Sequence, residues 1–294
     1  MKIGCVLIAY NPDAEILAKS LTLLSPQVEE IFLGDNTPNA NLTTKNITLK
    51  FDNILYNPFN CNIGIAAGQN KGIEYFTKKG YDYILFMDQD SLVTDNMVAS
   101  LCRDIKWLTK QGFNVGGIGP QPINKQNGRN YTTNHLQTIT DKKLAKVDQL
   151  ISSASLIPIQ LFKQVGMMDE SLFIDGVDYE WCWRAHTLAH VDFFISLTTQ
   201  LAHQLGEGDK FFLYRPIAIT PPFRIYYQFR NYIWLLHRKY VPLKWKIKNG
   251  LKYLIKVFYY SLLSNKKQLY INRMFYGIKD GLSKKNNYNL SKFP

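Results

Sequence analysis

Tyr81-Asp82-Tyr83-Ile84-Leu85-Phe86-Met87-Asp88-Gln89-Asp90-Ser91 is the stretch on which the fold turns. Residues 81–87 form an apolar, aromatic-rich run of strand length, and a helix is expected from about Thr94. A buried strand that ends in acid groups fits an open α/β sheet, where ligands bind at the carboxyl edge. Two carboxylates there are costly to desolvate unless a cation or hydrogen-bond donors share the site. Mg²⁺ and Mn²⁺ are the natural partners, hard ions that prefer carboxylate oxygens and bridge to phosphates. An Asp-x-Asp turn whose second Asp caps a helix is the plainer alternative. The preceding apolar strand and the companion motifs favour the metal reading.

Working outward, strands are expected at 2–9, 28–34, 53–56, 81–87 and 115–119, and helices at 13–24, 65–78 and 96–109. This alternation predicts an α/β fold with a mostly parallel sheet flanked by helices. Residues 121–149 are polar and expected as exposed loops, followed by a strand at 151–157, a helix at 177–188 and a strand at 191–197. Gly206, Gly208, Pro216, Pro221 and Pro222 mark a boundary near 207–222. The expected division is an α/β domain over 1–206 and a basic helical appendage over 207–294.

Charge follows the same division. Of the 294 residues, those from Arg224 to Pro294 hold 16 Lys+Arg and one acidic residue, so the net +12 resides entirely in the tail. A helix over 244–263 would place Ile247, Leu251, Leu254, Ile255, Phe258 and Leu262 on one face and Lys248, Lys252 and Lys256 on an adjoining one. That is the pattern of a helix lying on anionic lipid. No run reaches the roughly 18–20 apolar residues of a membrane span, and the apolar opening is short for a signal peptide. Cys5, Cys61, Cys102 and Cys182 show no C-x-x-C spacing, so neither a zinc site nor a disulfide framework is indicated. The expectation is a cytoplasmic protein, peripheral on the inner face of the cell membrane. The basic tail raises nucleic-acid binding as a rival class. Acidic clusters in the main domain need another explanation, and no nucleic-acid partner is expected. A nucleotidyltransferase would need a glycine-rich cationic loop after the first strand, where this chain has Ala9-Tyr10-Asn11-Pro12-Asp13.

A second acidic cluster is Asp175-Gly176-Val177-Asp178-Tyr179-Glu180-Trp181. Carboxylates in a first helical turn are stabilised by free N–H groups and the helix dipole, and an ionised one can act as a base. Capping plus a salt bridge to Arg184 is the alternative. Asn62-Ile63-Gly64-Ile65-Ala66-Ala67-Gly68 starts a helix with small residues. Such a start admits a phosphate or sugar close to the backbone, or serves tight helix–sheet packing with Asn62 as cap. His203 follows a strand and could be a third metal ligand.

Taken in order, Tyr10-Asn11, Asp35-Asn36, Asn62-x-Gly64 with Asn70-x-Gly72, Asp88-x-Asp90 and the cluster ending Trp183-Arg184-Ala185 resemble the inverting glycosyltransferases of family 2, which have the GT-A fold. Met87 to Ser91 with Asp178-Tyr179-Glu180-Trp181 is most similar to the rhamnosyltransferase branch, which uses dTDP-L-rhamnose. The resemblance covers roughly residues 1–206. It implies a nucleotide-sugar half over about 1–120 and an acceptor half over 121–206, with Tyr10, Asn11, Asp35, Asn62, Gly64, Asn70 and Asp88 on the donor. It further implies that Asp35 contacts the base, that Asp88, Asp90 and His203 hold Mg²⁺ or Mn²⁺ with the diphosphate, and that Asp178 is the general base. The family base often follows a Glu, and here Val177 precedes it, so Asp175 and Glu180 stay open as bases. With the basic tail, this implies a lipid-linked saccharide acceptor at an anionic membrane surface.

Overall fold

The computed structural model describes residues 1–39, 42–124, 137–139, 143–203, 209–212, 215–218 and 220–283. The chain begins β1 (Ile3–Ala9), α1 (Ala14–Leu24), β2 (Glu30–Asp35), α2 (Leu42–Thr48), β3 (Ile54–Pro58), α3 (Ile65–Lys78), β4 (Tyr83–Asp88) and α4 (Met97–Lys110). It continues through β5 (Val115–Asn124), β6 (Gln137–Ile139), β7 (Leu144–Val147), β8 (Ser155–Pro158), α5 (Gln160–Val165), α6 (Val177–Ala189) and β9 (Asp192–His203). A hairpin, β10 (Asp209–Phe212) and β11 (Arg215–Ala218), precedes α7 (Pro222–Leu236), α8 (Leu243–Leu262) and α9 (Lys267–Ser283).

Nine strands form one sheet in the order β3-β2-β1-β4-β8-β5-β9-β7-β6. The first four are parallel, as the alternation implied: β1, β2 and β4 are buried apolar runs, and β3 is a half-buried edge strand. Beyond β4 the sheet is mixed: β8 runs antiparallel to β4 and β5, and β7 antiparallel to β9. This corrects the reading of 121–149 as loop. β5 extends to Asn124, and β6 and β7 are short strands on the far edge, too brief to show a period.

One core lies between the sheet and α1 with α4, and a second between the sheet and α3, α5 and α6. The α3 layer sits unusually close. A Cβ on Gly72 would come within 2.5 Å of Val6, so only glycine fits that contact.

The three last helices share a small core of Ile225, Phe229, Tyr259, Tyr260, Tyr270 and Met274. They are also fastened to the sheet-bearing part of the protein. Leu235 and Val241 pack on Trp183 of α6, and Asn231 Nδ2 donates to the Leu172 and Asp175 carbonyls at 2.8 Å. The outer face of α8 carries exposed Ile247, Leu251, Leu254, Phe258 and Leu262, as its spacing predicted. Lys256 departs from that prediction. It is 5% exposed and turned inward, where Nζ donates to Gln228 Oε1 at 2.5 Å and Thr220 Oγ1 at 3.3 Å. Among the described residues, no helix is long and apolar enough to cross a membrane.

Candidate active site

The registers Ala9–Asp35 and Ile8–Asp88 put both acidic residues beside the end of β1. Asp35 is fully buried, with Oδ1 accepting from the Thr37 N–H and Oδ2 from the Tyr56 hydroxyl, both at 2.9 Å. Thr37 Oγ1 in turn accepts from the Asn11 N–H at 2.9 Å. Gln89, the middle residue of the Asp-x-Asp motif, latches the neighbouring loop. Its Oε1 accepts from the Tyr10 N–H at 2.7 Å, and its Nε2 donates to the Tyr10 carbonyl at 3.3 Å. Asn36 Oδ1 accepts from the Ile63 N–H at 3.0 Å while its Nδ2 donates to the Gly64 carbonyl at 3.2 Å.

Gly64 holds φ +86°, and a Cβ there would meet the Phe173 ring at 2.6 Å. Asn62 supports it by accepting the Gly64 N–H at 3.0 Å, but Gly64 itself occupies the cap position of α3. The first N–H groups of α3 are not open to a ligand, because Ile65 N donates to the Phe173 carbonyl at 2.7 Å. Asn70 is buried and joins two parts of the protein: Nδ2 donates to the Met168 carbonyl and to Glu170, and Oδ1 accepts from the Met168 N–H.

A cavity of about 710 Å³ opens above these loops, with Tyr10, Asn36, Asn62, Gly64 and Gln89 on one wall. Its opposite wall is Phe223, Tyr226 and Tyr227 of α7 and Arg273, Tyr276 and Asp280 of α9. The appendage therefore completes the cavity. Sequence reading treated it as a separate region and missed these residues; the aromatic run Tyr226-Tyr227 was the available signal.

The second acidic cluster splits into three different environments. Glu180 is fully buried. Arg184 donates to it through Nε at 2.9 Å and Nη2 at 3.0 Å, Arg238 Nη1 lies at 3.1 Å, and the Tyr240 hydroxyl donates to Oε1. Arg238 also pairs with Asp169. Asp175 accepts from Arg224, Nη2 at 3.0 Å and Nε at 3.3 Å. Asp178 is partly buried and accepts two backbone N–H groups, Tyr179 at 2.9 Å and Ser152 at 3.1 Å. Burial pushes its carboxyl up, the two N–H groups oppose this, and the Asp88 carboxylate adds to the rise, to about 6. Asp88 and Asp178 thus share one charged neighbourhood.

Residues 5–165 match the Glycosyl transferase family 2 model. The chain belongs to glycosyl transferase family 2. It is 30% identical over 250 residues to "dTDP-rhamnosyl transferase RfbF" of Shigella flexneri, a match covering 82% of each protein. The family assignment makes the protein a glycosyltransferase.

Solved structures agree on the fold. GalNAc-T7, crystallised with UDP, GalNAc and Mn²⁺, matches 100% of this chain and 58% of its own, at 13% identity and TM-score 0.59. Staphylococcus aureus TarS matches 95% of this chain and 49% of its own, at 14% identity and TM-score 0.55. The chain thus spans about half the length of these two structures. The likeness shows a GT-A fold.

The family match ends at Val165, so Asp178 and the α7 wall lie beyond it. Among the described residues, no three His, Cys, Asp or Glu side chains group closely enough to cage a metal. Asp88 and the exposed Asp90 offer carboxylate oxygens at the end of β4. Such donors fit a hard divalent ion held by one or two carboxylates and completed by water and substrate phosphate. His203 ends β9, and its side chain lies outside the described residues.

Proposed function

We propose that this enzyme moves L-rhamnose from dTDP-L-rhamnose to a hydroxyl of a lipid-linked saccharide, inverting the anomeric carbon. The setting would be cell-surface polysaccharide synthesis of the O-antigen or capsule type, at the cytoplasmic face of the membrane. The identity with RfbF supports the donor. The observation that carries the chemistry is the placing of Asp178 beside Asp88, while Asp175 and Glu180 are committed to arginines.

In this reading the acceptor hydroxyl attacks the anomeric carbon from the face opposite the diphosphate. Asp178 takes the hydroxyl proton as the new C–O bond forms. The old C–O bond breaks with its electron pair on the β-phosphate oxygen. With its pKa near 6, Asp178 is ionised at neutral pH and still basic enough to be an effective acceptor. Tyr10, Asn11, Asp35, Asn62 and Gly64 form the nucleoside side, with Asn36 and Gln89 bracing their backbones. Asn70 contributes from behind by fixing the start of the loop before α6. Asp88 and Asp90, with His203, would hold Mg²⁺ or Mn²⁺, whose chemistry is to neutralise charge on the departing diphosphate.

The membrane reading rests on α8. Leu251 is 60% and Phe258 59% exposed on a face flanked by Lys244, Lys248 and Lys252, which suits an anionic lipid surface.

The test is nucleoside diphosphate release from dTDP-rhamnose, UDP-glucose, UDP-galactose, UDP-N-acetylglucosamine and GDP-mannose. Each is run with Mg²⁺, Mn²⁺ or chelator and a membrane lipid extract as acceptor. Metal-dependent release from dTDP-rhamnose alone is expected. Turnover of a UDP-hexose would replace the donor, and undiminished release in chelator would remove the metal.

A further inference from the structure

Arg224 stands on the first turn of α7, outside the segment that matches the family model. Its neighbour in sequence, Phe223, lines the large cavity, and so does Ile174, the neighbour of its partner Asp175. The carboxylates of Asp178 and Asp88 lie within electrostatic reach of it. Burial works against the charge of Arg224, but Asp175, Asp178 and Asp88 outweigh it and push its pKa up. The guanidinium therefore lies at the junction between the cavity and the pair Asp88 and Asp178.

We propose that Arg224 binds the diphosphate of the donor, with Asp175 as its positioning residue. This rests on the nucleotide-sugar reading above. A donor with its nucleoside in the cavity and its sugar at Asp178 must lay its diphosphate across that junction. Acidic side chains crowd the same region, so the diphosphate needs positive charge from the protein as well as from any ion at Asp88 and Asp90.

The geometry leaves Arg224 equipped for this. Nε and Nη2 are held by Asp175, while Nη1 makes no hydrogen bond among the described residues. The side chain is 39% exposed. A guanidinium has five N–H donors in a rigid fork, so it can grip a carboxylate on one edge and a phosphate on another. Asp175 is itself braced. Its carbonyl accepts from Asn231 Nδ2 at 2.8 Å, and Gln228 Nε2 approaches its Oδ1 at 3.5 Å. Gln228 is fixed in turn by the inward Lys256 of α8. The arginine is thus oriented before a ligand arrives, which reduces the ordering cost of binding.

Calorimetry with thymidine, dTMP and dTDP tests this, in chelator so that the protein's own cation is read. The proteins are wild type, Arg224→Ala, Arg224→Lys and Asp175→Asn. For Arg224→Ala, thymidine binding should be unchanged and dTDP binding weaker by roughly ten- to a hundredfold, the range of one charged hydrogen bond. Arg224→Lys keeps the charge and should recover part of the loss, which also guards against a folding defect in the alanine variant. Asp175→Asn should give an intermediate loss for dTDP alone. Unchanged dTDP affinity in Arg224→Ala overturns the proposal, as does an equal loss for thymidine, which would make the residue a wall of the cavity. A wild type that binds no nucleoside diphosphate overturns the donor reading itself. If UDP binds in place of dTDP, the same comparison is made with uridine, UMP and UDP and has the same deciding outcomes.

Discussion

Asp178→Asn should change catalysis and stability in ways that a merely structural residue would not. The carboxyl is raised from 3.8 to about 6, so the folded protein bears a cost for its charge at neutral pH. The sign follows from the direction. A group raised on folding adds stability below its unfolded pKa, and that stability is lost as pH climbs through the folded pKa. A difference of about two pKa units would be worth roughly 3 kcal/mol, reduced here to about 2 because the side chain is partly open to water. Asparagine removes this cost. It keeps an acceptor for the Tyr179 N–H but turns an amide toward the Ser152 N–H, a loss of roughly 1 kcal/mol. The net at pH 7.5 is a gain of about 1 kcal/mol, or about 2 °C in Tm for a chain of this size. At about pH 3, below the unfolded pKa, only the lost hydrogen bond remains, and the variant should be the less stable protein. Turnover at pH 7.5 should fall roughly 10²- to 10⁴-fold, the worth of a general base. Thermal melts at both pH values, with diphosphate release on the same samples, check this. Near-normal turnover would refute the base. A stability difference that keeps one sign at both pH values would refute the charge argument.

Wild-type kcat should fall as pH drops through about 6, as the Asp178 carboxylate is protonated, and a pH–rate profile reads this directly. Asp90→Ala should weaken dTDP binding in Mg²⁺ while leaving binding in chelator unchanged; equal affinities in Mg²⁺ for variant and wild type would remove Asp90 from the ion. Glu180→Gln should cost about 3–5 kcal/mol, seen in thermal melts, because the buried Arg184 then loses its counter-charge and Arg238 keeps only Asp169. Replacing Leu251 and Phe258 together by Glu should abolish flotation with anionic vesicles at low salt without altering dTDP binding.

The parallel half of the fold was legible because β1, β2 and β4 are buried apolar runs separated by amphipathic helices, which leaves a strong periodic signal. The mixed half was not. β6 has three residues and β7 four, and such strands form by pairing with a long neighbour rather than by their own pattern. The site showed the same contrast. Asp88 announced itself by ending an apolar strand. The bracing by Gln89 and Asn36 depends on contacts between loops distant in sequence, for which residue type alone gives no sign.

The acidic segment of α6 shows most clearly where sequence stops. Asp175, Asp178 and Glu180 lie within six residues, and each could have been the base. Their fates are set by what packs around them. On a helix, Glu180 shares a face with Arg184 four residues on, and that face turns into the core, where Arg238 and Tyr240 from beyond α7 close over it. Asp175 precedes the helix and faces the first turn of α7, which supplies Arg224. Asp178 turns toward the carboxyl edge of the sheet, where its neighbours are backbone N–H groups and another carboxylate. Lys256 follows the same logic in reverse: an i, i+4 lysine row predicts a solvent face, but the helix docks on α7 along one edge of that row, and the last lysine is taken inside. In both cases the partner that decides the role comes from the last three helices. Removing the appendage would unmake the cavity wall and strip Glu180 and Asp175 of the arginines from α7 and the turn that follows it, so on the proposed function it belongs to the catalytic unit.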